Sequence, residues 1–158
     1  MNAGFNKRRI IRRFECAEMF GVDFQCAVAA DGSEQRAKNT IVCAGAWSSI
    51  VPGVAERAGL SHAAVFPMRG QIVELWGPPG LVPHMVYGGK GYVVPRKDGR
   101  LVCGSTMEKV GFEKAVTAAG VRIVLDKAIK LVPGIAELPV HATWSGLRPA
   151  TTDGLPLL

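Results

Sequence analysis

Length and composition place the chain among ordinary globular domains. It has 158 residues, 48% of them hydrophobic and 20% charged, which is enough apolar sequence to bury a sizeable core. The formal net charge is +6, but residues 1–20 hold five basic and two acidic residues, so the rest of the chain carries only +3. The basic cluster Lys7 to Arg13 has no interleaved aromatic residues that could stack on bases. Charge of this size and placement argues against a nucleic-acid partner.

The cysteines and the apolar segments indicate a compartment. Cys16, Cys26, Cys43 and Cys103 show no CxxC spacing, and a reduced thiol in apolar surroundings behaves as a small hydrophobic group. No apolar run is long enough to cross a membrane, and the N-terminus lacks the pattern of a secretory signal. We therefore expect a cytoplasmic protein without a membrane anchor, and we leave residues 1–20 unassigned as a basic leader.

The first third of the chain predicts a hairpin and a short helical connection. A strand from Val22 is followed by the Asp31-Gly32 turn and by a polar stretch that leads into the segment Thr40 to Ala44. Asp-Gly between apolar runs is a strong hairpin signal. The segment Ala46 to Ala58 is typical of a short helical connection that is interrupted at Pro52-Gly53.

A group of antiparallel strands is predicted next. The first is Val65 to Trp76, where Gly70 suggests either a β-bulge or the close approach of another group to the backbone. Met85 to Tyr87, Tyr92 to Pro95 and Leu101 to Cys103 are further strand candidates, and turn residues separate them. Short apolar runs bounded by such turns predict a meander of antiparallel strands.

One helix is well marked by its apolar spacing. Apolar residues recur at i, i+3, i+4, i+7 and i+10, namely at Val121, Val124, Leu125, Ala128 and Leu131. Thr117 is the expected N-cap, and Pro133-Gly134 ends the helix. We expect a helix from about Thr117 to Leu131 that buries Val124, Leu125, Ala128 and Leu131 against the sheet.

The last strand completes the predicted fold. Val140, Ala142 and Trp144 alternate with polar residues, which predicts a strand that runs toward Arg148 and keeps even-numbered residues on one face if it is unbroken. The fold class is therefore α+β, with a mainly antiparallel or mixed sheet and one long covering helix.

The residues alone identify no catalytic or metal site. The chain has no GxGxxG spacing between a strand and a helix, which a dinucleotide-binding unit needs for close approach to the pyrophosphate. His62, His84 and His141 share no metal-ligand spacing, and no GxSxG nucleophile pattern is present. Composition and spacing alone therefore lead to a soluble α+β domain and no further.

A family resemblance supplies the next step. Four segments in series resemble the second half of glycine oxidases, members of the D-amino-acid oxidase superfamily of flavoproteins. They are IVCAGAWS (Ile41 to Ser48), PMRGQ (Pro67 to Gln71), YVVPRKDGRLVCGST (Tyr92 to Thr106) and WSGLRPATTDGLP (Trp144 to Pro156). The resemblance covers roughly residues 22–158 and implies the substrate-binding domain of such an enzyme, with remnants of the FAD domain.

The resemblance implies roles for individual residues in substrate binding. Arg148 matches the arginine that holds the substrate carboxylate, and a planar guanidinium can grip a carboxylate through two parallel hydrogen bonds. Tyr92 matches a tyrosine that faces the substrate, and Met107 matches an apolar wall residue. Without the family, a salt-bridged arginine, a core tyrosine and a gap-filling methionine remain open for these three positions.

The resemblance also implies a cofactor and a reaction. Ala44, Gly45, Arg69 and Gly70 match positions at which family members approach FAD. The implied reaction oxidises the amine of a small amino acid, with hydride transfer to the flavin, and yields a 2-oxo acid, ammonia and hydrogen peroxide. Glycine oxidase supplies the imine used for the thiazole of thiamine. A small amino acid or amine is thus the implied partner, and no protein nucleophile is required.

The sequence lacks parts that the family pattern contains. Relative to that pattern, the GxGxxG unit is absent and the chain stops at Pro156-Leu157-Leu158, so we expect a partial enzyme that alone neither retains FAD nor turns over. Two alternatives remain open. One is a sister flavoprotein of the sarcosine oxidase or D-amino acid dehydrogenase type, and the other is a non-catalytic remnant that forms a homo-oligomer.

Overall fold

The structure is a computed structural model that describes residues 19–22, 26–29, 34–36, 43–51, 59 and 64–155. It divides the chain into two compact units, Met1–His62 and Ala63–Leu158, and each is described by itself. Within the described residues, no helix is both long and apolar enough to span a membrane.

The first unit contains a three-stranded antiparallel sheet. Its strands are β1 (Met19–Val22), β2 (Cys26–Ala29) and β3 (Glu34–Arg36), in the order β1-β2-β3. A hairpin is found around Asp31-Gly32, because β2 and β3 pair antiparallel, but its second strand lies in the stretch predicted as a polar connection. The turn itself and residues 40–42 lie outside the described residues, and Cys43 and Ala44 are not in a strand. Strand β1 begins at Met19, within the stretch 1–20 that was left unassigned, and residues 1–18 lie outside the described residues.

A short 3₁₀ helix, Gly45–Trp47, follows in the same unit. It lies at the beginning of the predicted helical connection, whose interruption at Pro52-Gly53 falls outside the described residues. Ala44 and Ala46 are buried here, and Gly45 has a positive φ of 55°.

The second unit is built on a five-stranded antiparallel sheet. Its strands are β4 (Val65–Trp76), β5 (Val86–Gly88), β6 (Gly91–Pro95), β7 (Arg100–Gly104) and β8 (Val140–Thr151). Their order is β5-β6-β7-β4-β8, so the long strand β4 is central and the equally long β8 borders it. The predicted antiparallel meander is confirmed, and every strand pair in this sheet is antiparallel.

One irregularity changes the predicted alternation of β8. Glu74 pairs with Ala142 but Leu75 pairs with Val140, so His141 is the extra residue of a β-bulge. Its Nδ1 lies 2.8 Å from Glu74 Oε1. The alternation predicted for an unbroken strand is therefore interrupted at His141, and even-numbered residues of β8 share a face from Ala142 onward.

Helix α1 (Ala118–Leu131) covers one face of this sheet. The predicted cap is confirmed, because Thr117 Oγ1 accepts a hydrogen bond from the backbone nitrogen of Gly120 at 3.1 Å. The last turn ends at Val132, whose N–H donates to Ala128 O, and Pro133 then begins a 3₁₀ turn (Pro133–Ile135).

The core lies between α1 and the sheet. Its buried residues include Val73, Leu75, Val93, Leu101, Cys103, Val124, Ala128 and Ile135. Burial of Val124 and Ala128 is confirmed, but Leu125 and Leu131 are half-buried, because they lie at the margin of the helix stripe rather than at its centre. The second face of the sheet carries the even-numbered residues of β4, β6 and β7 and is called the open face below.

Candidate functional site

A row of residues crosses the open face from one edge of the sheet to the other. Ladder partners place Trp144, Ile72, Gly104, Tyr92 and Tyr87 side by side on strands β8, β4, β7, β6 and β5. Trp144 is 40% exposed and Tyr87 is 74% exposed. Ile72 and Tyr92 between them are half-buried, and Gly104 is buried. A partly exposed row with exposed aromatic side chains at its ends is typical of a surface that receives a ligand or another protein segment.

Arg148 lies beside this row on the same face. It pairs with Met68, and its side chain reaches back along the sheet so that the guanidinium lies over Gly70. A Cβ atom at Gly70 would lie 2.5 Å from Arg148 Cζ, so a side chain there would displace the guanidinium. The predicted special role of Gly70 is therefore the close approach of another group, and the β-bulge lies instead at His141.

Two oxygens at the end of β7 anchor the guanidinium. Arg148 Nη2 donates to Ser105 Oγ at 2.7 Å, and Nη1 donates to Thr106 O at 3.3 Å. A guanidinium has five N–H donors, so three remain for a ligand. Arg148 is thus held in place with donors to spare, which is the arrangement that a carboxylate-binding arginine needs.

Ion pairs use the charge of two other arginines of the second unit but not that of Arg148. Arg69 pairs with Glu108, and Arg100 pairs with Asp98 and more distantly with Glu74. Arg148 contacts neutral oxygens, and within residues 64–155 the structure shows no carboxylate within 4 Å of it. Its positive charge is therefore available to an anionic ligand.

The structure brings Tyr92 to the face that carries Arg148. A Cβ atom at Gly104 would lie 2.8 Å from Tyr92 Cε2, so the phenol ring lies over Gly104, next to the serine that anchors Arg148. Met107 follows Thr106 directly and is 76% exposed. These positions put Tyr92 on the same face as Arg148 and Met107 two residues from Ser105, while the roles of all three stay predictions.

The structure places Arg69 away from Arg148. All three of its side-chain nitrogens donate hydrogen bonds. Nε donates to Glu108 Oε2 at 2.7 Å, Nη2 donates to the same oxygen, and Nη1 donates to Ala115 O at 3.0 Å. Arg69 is buried, and as an odd-numbered residue of β4 it faces the helix side of the sheet. The guanidinium of Arg148 covers Gly70 on the open face. Neither Arg69 nor Gly70 therefore exposes an uncovered group on that face, and their assignment to the cofactor stays a prediction.

The first unit contains the other two residues assigned to the cofactor. Ala44 is buried and Gly45 is exposed, and nothing lies within 4 Å of a Cβ built on Gly45. The backbone of Gly45 is thus unobstructed, as it is at several other described glycines, and the assignment of Ala44 and Gly45 to the cofactor stays a prediction.

Sequence reasoning missed the residues that hold Arg148. Ser105 and Thr106 are buried polar residues, with 9% and 3% of their surfaces exposed, and they touch Arg148 from 42 or more positions away in the chain. A polar Ser-Thr pair directly after a strand was a visible signal. Its meaning depends on β4 lying between β7 and β8, which the sequence does not specify.

Comparison with known proteins identifies the family. The family model for FAD dependent oxidoreductases matches residues 7–158. The glycine oxidase of Geobacillus kaustophilus (strain HTA426) is 37% identical over 128 residues, which cover 80% of this chain and 33% of that protein. Its crystal structure aligns with a TM-score of 0.76 at 33% identity and covers 89% of this chain and 38% of that chain.

A second solved structure is similar over the same region. Iminodiacetate oxidase from Chelativorans sp. BNC1 aligns with a TM-score of 0.68 at 32% identity, covering 80% of this chain and 34% of that chain. The chain spans about a third of the length of these relatives. With four sequence segments, an α+β fold and a family match over residues 7–158 in agreement, the chain belongs to the FAD dependent oxidoreductase family.

Proposed function

We propose that the chain forms the substrate-carboxylate side of an amino acid oxidase of the glycine oxidase type, as part of its substrate-binding domain. The observation that carries the proposal is Arg148, fixed by Ser105 and Thr106 on the open face with three donors and its charge unused by the described residues. The similarity to glycine oxidase supports the substrate class.

The chain's own residues can bind and orient the substrate. Arg148 would take the carboxylate through two parallel hydrogen bonds, which fixes the position of the α-carbon as well as that of the carboxylate. Tyr92, beside the anchor, would close the site with its ring and donate from its phenol. Met107 would form an apolar wall.

FAD would supply the redox chemistry by accepting hydride from the α-carbon. Gly45 offers an open backbone that could lie against such a cofactor. The residues described here need only hold the substrate in one orientation and keep its apolar surroundings free of water, a contribution of position rather than of covalent chemistry.

A hybrid oxidase tests the proposal. In it, residues 7–158 replace the matching part of the Geobacillus kaustophilus glycine oxidase, and peroxide formation is measured with glycine, sarcosine, iminodiacetate and D-alanine. Glycine turnover is expected, and Arg148→Lys should raise the KM for glycine about 10- to 100-fold because an ammonium cannot reproduce two parallel hydrogen bonds.

The matched control is Arg122→Lys, which changes an exposed arginine of α1 in the same way. It should leave the KM unchanged. Equal KM values for the Arg148→Lys and unsubstituted hybrids would remove Arg148 from the carboxylate role. A preference for sarcosine or iminodiacetate over glycine would assign the chain to a sister oxidase.

A further inference from the structure

The segment that follows β7 is held firmly from the helix side of the sheet. The backbone nitrogen of Gln71 donates to Thr106 Oγ1 at 2.9 Å, and Lys127 Nζ donates to Ser105 O at 3.1 Å. Two further backbone bonds of 2.9 Å join Arg69 and Glu108 in both directions. Ser105 and Thr106 are therefore a fixed element rather than a loose loop.

This fixed segment meets the end of a long side chain. Arg148 begins on β8 opposite Met68, and its guanidinium lies over Gly70 with Nη2 on Ser105 Oγ. An arginine side chain has many rotamers, and one that samples them freely loses conformational entropy when a ligand fixes it. A contact that selects one rotamer before binding removes that loss.

The hydroxyl of Ser105 is the closer of the two anchors. Its distance to Nη2 is 2.7 Å, within the usual range for a charge-assisted bond, whereas the bond from Nη1 to Thr106 O is 3.3 Å long. Ser105 is 9% exposed, so solvent competes little for the bond. Arg148 contacts Gly70, which limits where the guanidinium lies, and the bond from Nη2 to Ser105 opposes the flip about the Nε–Cζ bond that would exchange Nη1 and Nη2.

We propose that Ser105 is a positioning residue that presets the guanidinium of Arg148 for a carboxylate, and this rests on the proposed substrate role of Arg148. One N–H of Nη2 is occupied by the hydroxyl. The planar guanidinium is thereby held in one orientation, with three N–H donors that neither Ser105 nor Thr106 uses. Removing the hydroxyl leaves the charge in place and loses the orientation.

Nuclear magnetic resonance of the 158-residue chain with ¹⁵N-labelled arginine tests the proposal directly. The Arg148 signals are assigned with Arg148→Lys, and the rotation of the guanidinium is measured from exchange between its Nη groups. We expect slow rotation in the unsubstituted chain, fast rotation in Ser105→Ala, and slow rotation again in Ser105→Thr, which keeps the hydroxyl. If Ser105 acted only through its size, the larger threonine would not restore slow rotation of the guanidinium.

The matched control is Ser145→Ala. It removes a hydroxyl from β8 that donates to Lys114 O, at a position that pairs with Gln71 and so lies on the opposite side of the sheet from Arg148. Rotation of Arg148 should stay slow in this variant, and the backbone amide spectra of all variants show whether the fold is kept. Fast rotation in the unsubstituted chain, equal rotation in Ser105→Ala, or fast rotation in Ser105→Thr would overturn the proposal.

A titration with glycolate separates this proposal from the carboxylate role of Arg148. Glycolate should shift the Arg148 signals, and its dissociation constant should rise about fivefold or more in Ser105→Ala. If glycolate leaves those signals unchanged in every variant while Ser105→Ala still frees the guanidinium, the carboxylate role is wrong and the positioning role stands. If glycolate binds equally well to Ser105→Ala and to the unsubstituted chain, presetting by Ser105 is wrong and the carboxylate role stands.

Discussion

Adding one methyl group at Gly70 should disable Arg148 without changing its charge. The φ angle of Gly70 is not in the positive range that disfavours other residues, so Gly70→Ala meets no backbone strain. The new Cβ would instead lie 2.5 Å from Arg148 Cζ. Because ordinary carbon–carbon contacts are about 3.5–4.0 Å, the guanidinium must move by roughly 1 Å or more.

The size of the effect follows from the bonds that this movement breaks. A shift of about 1 Å stretches the 2.7 Å bond from Arg148 Nη2 to Ser105 Oγ beyond hydrogen-bonding distance. The two anchoring bonds are worth about 1 kcal/mol each, and alanine in a strand recovers about 0.5–1 kcal/mol relative to glycine. The net loss of stability is then about 1 kcal/mol, or a fall of about 3 °C in Tm.

Substrate binding should suffer far more than stability. A displaced guanidinium loses one or two charge-assisted hydrogen bonds to the carboxylate, which are worth about 1.5–3 kcal/mol, so the KM for glycine of the hybrid oxidase should rise roughly 10- to 150-fold. The assay pairs this KM with the Tm of the 158-residue chain measured by circular dichroism.

Gly146→Ala is the matched control. Gly146 pairs with Gly70 across the ladder, and a Cβ built on it meets nothing within 4 Å. This change should leave the KM within about twofold of the unsubstituted hybrid. The reasoning fails if Gly70→Ala and Gly146→Ala give the same KM, or if Gly70→Ala unfolds the chain.

Three further predictions concern acid stability, thiol reactivity and the cofactor. Partial burial pushes the pKa of Glu108 up, but hydrogen bonds from Thr106, Arg69 and Gln71 outweigh it and hold the pKa below its usual range. The ionised carboxylate of Glu108 therefore stabilises the fold above its unfolded pKa, and this stability is lost as the pH falls below about 4. The fall of Tm with decreasing pH should be shallower in Glu108→Gln than in the unsubstituted chain, and the same dependence of Tm on pH in both would refute this. Burial raises the pKa of the Cys103 thiol to about 11, so iodoacetamide at pH 8 should label exposed Cys43 much faster than Cys103. Peptide mapping measures the two labelling rates, and equal rates would contradict the burial of Cys103. The purified 158-residue chain should show no visible flavin absorption and form no peroxide from glycine, because its sequence has no GxGxxG unit, and a bound flavin band would disprove this.

Periodic patterns predicted the elements well. Helix α1 begins after the predicted cap Thr117 and ends at the predicted Leu131, and β4 has the predicted bounds Val65–Trp76. Both elements are long, and each pattern is reinforced by a turn or cap residue at its end. Such local signals do not depend on which strands later become neighbours.

Features that depend on strand neighbours were not predictable. The bulge at His141 follows from the register of β8 against β4, so it shifted the predicted alternation by one residue. Arg69 and Gly70 are adjacent in sequence but face opposite sides of the sheet, and only the pairing of β4 with β7 and β8 shows that Arg148 covers one of them. The contact between Ser105 and Arg148 likewise depends on which strands are neighbours in the sheet.

A crystal structure of the flavin-loaded hybrid with bound glycolate is the most direct measurement of the central claim, which is that Arg148 holds the substrate carboxylate on the open face. We expect both carboxylate oxygens within about 3.2 Å of Arg148 nitrogens, with the Ser105 bond to Nη2 kept and the phenol of Tyr92 beside the ligand. Glycolate bound on the helix side near Arg69, or bound on the open face without contact to Arg148, would contradict it.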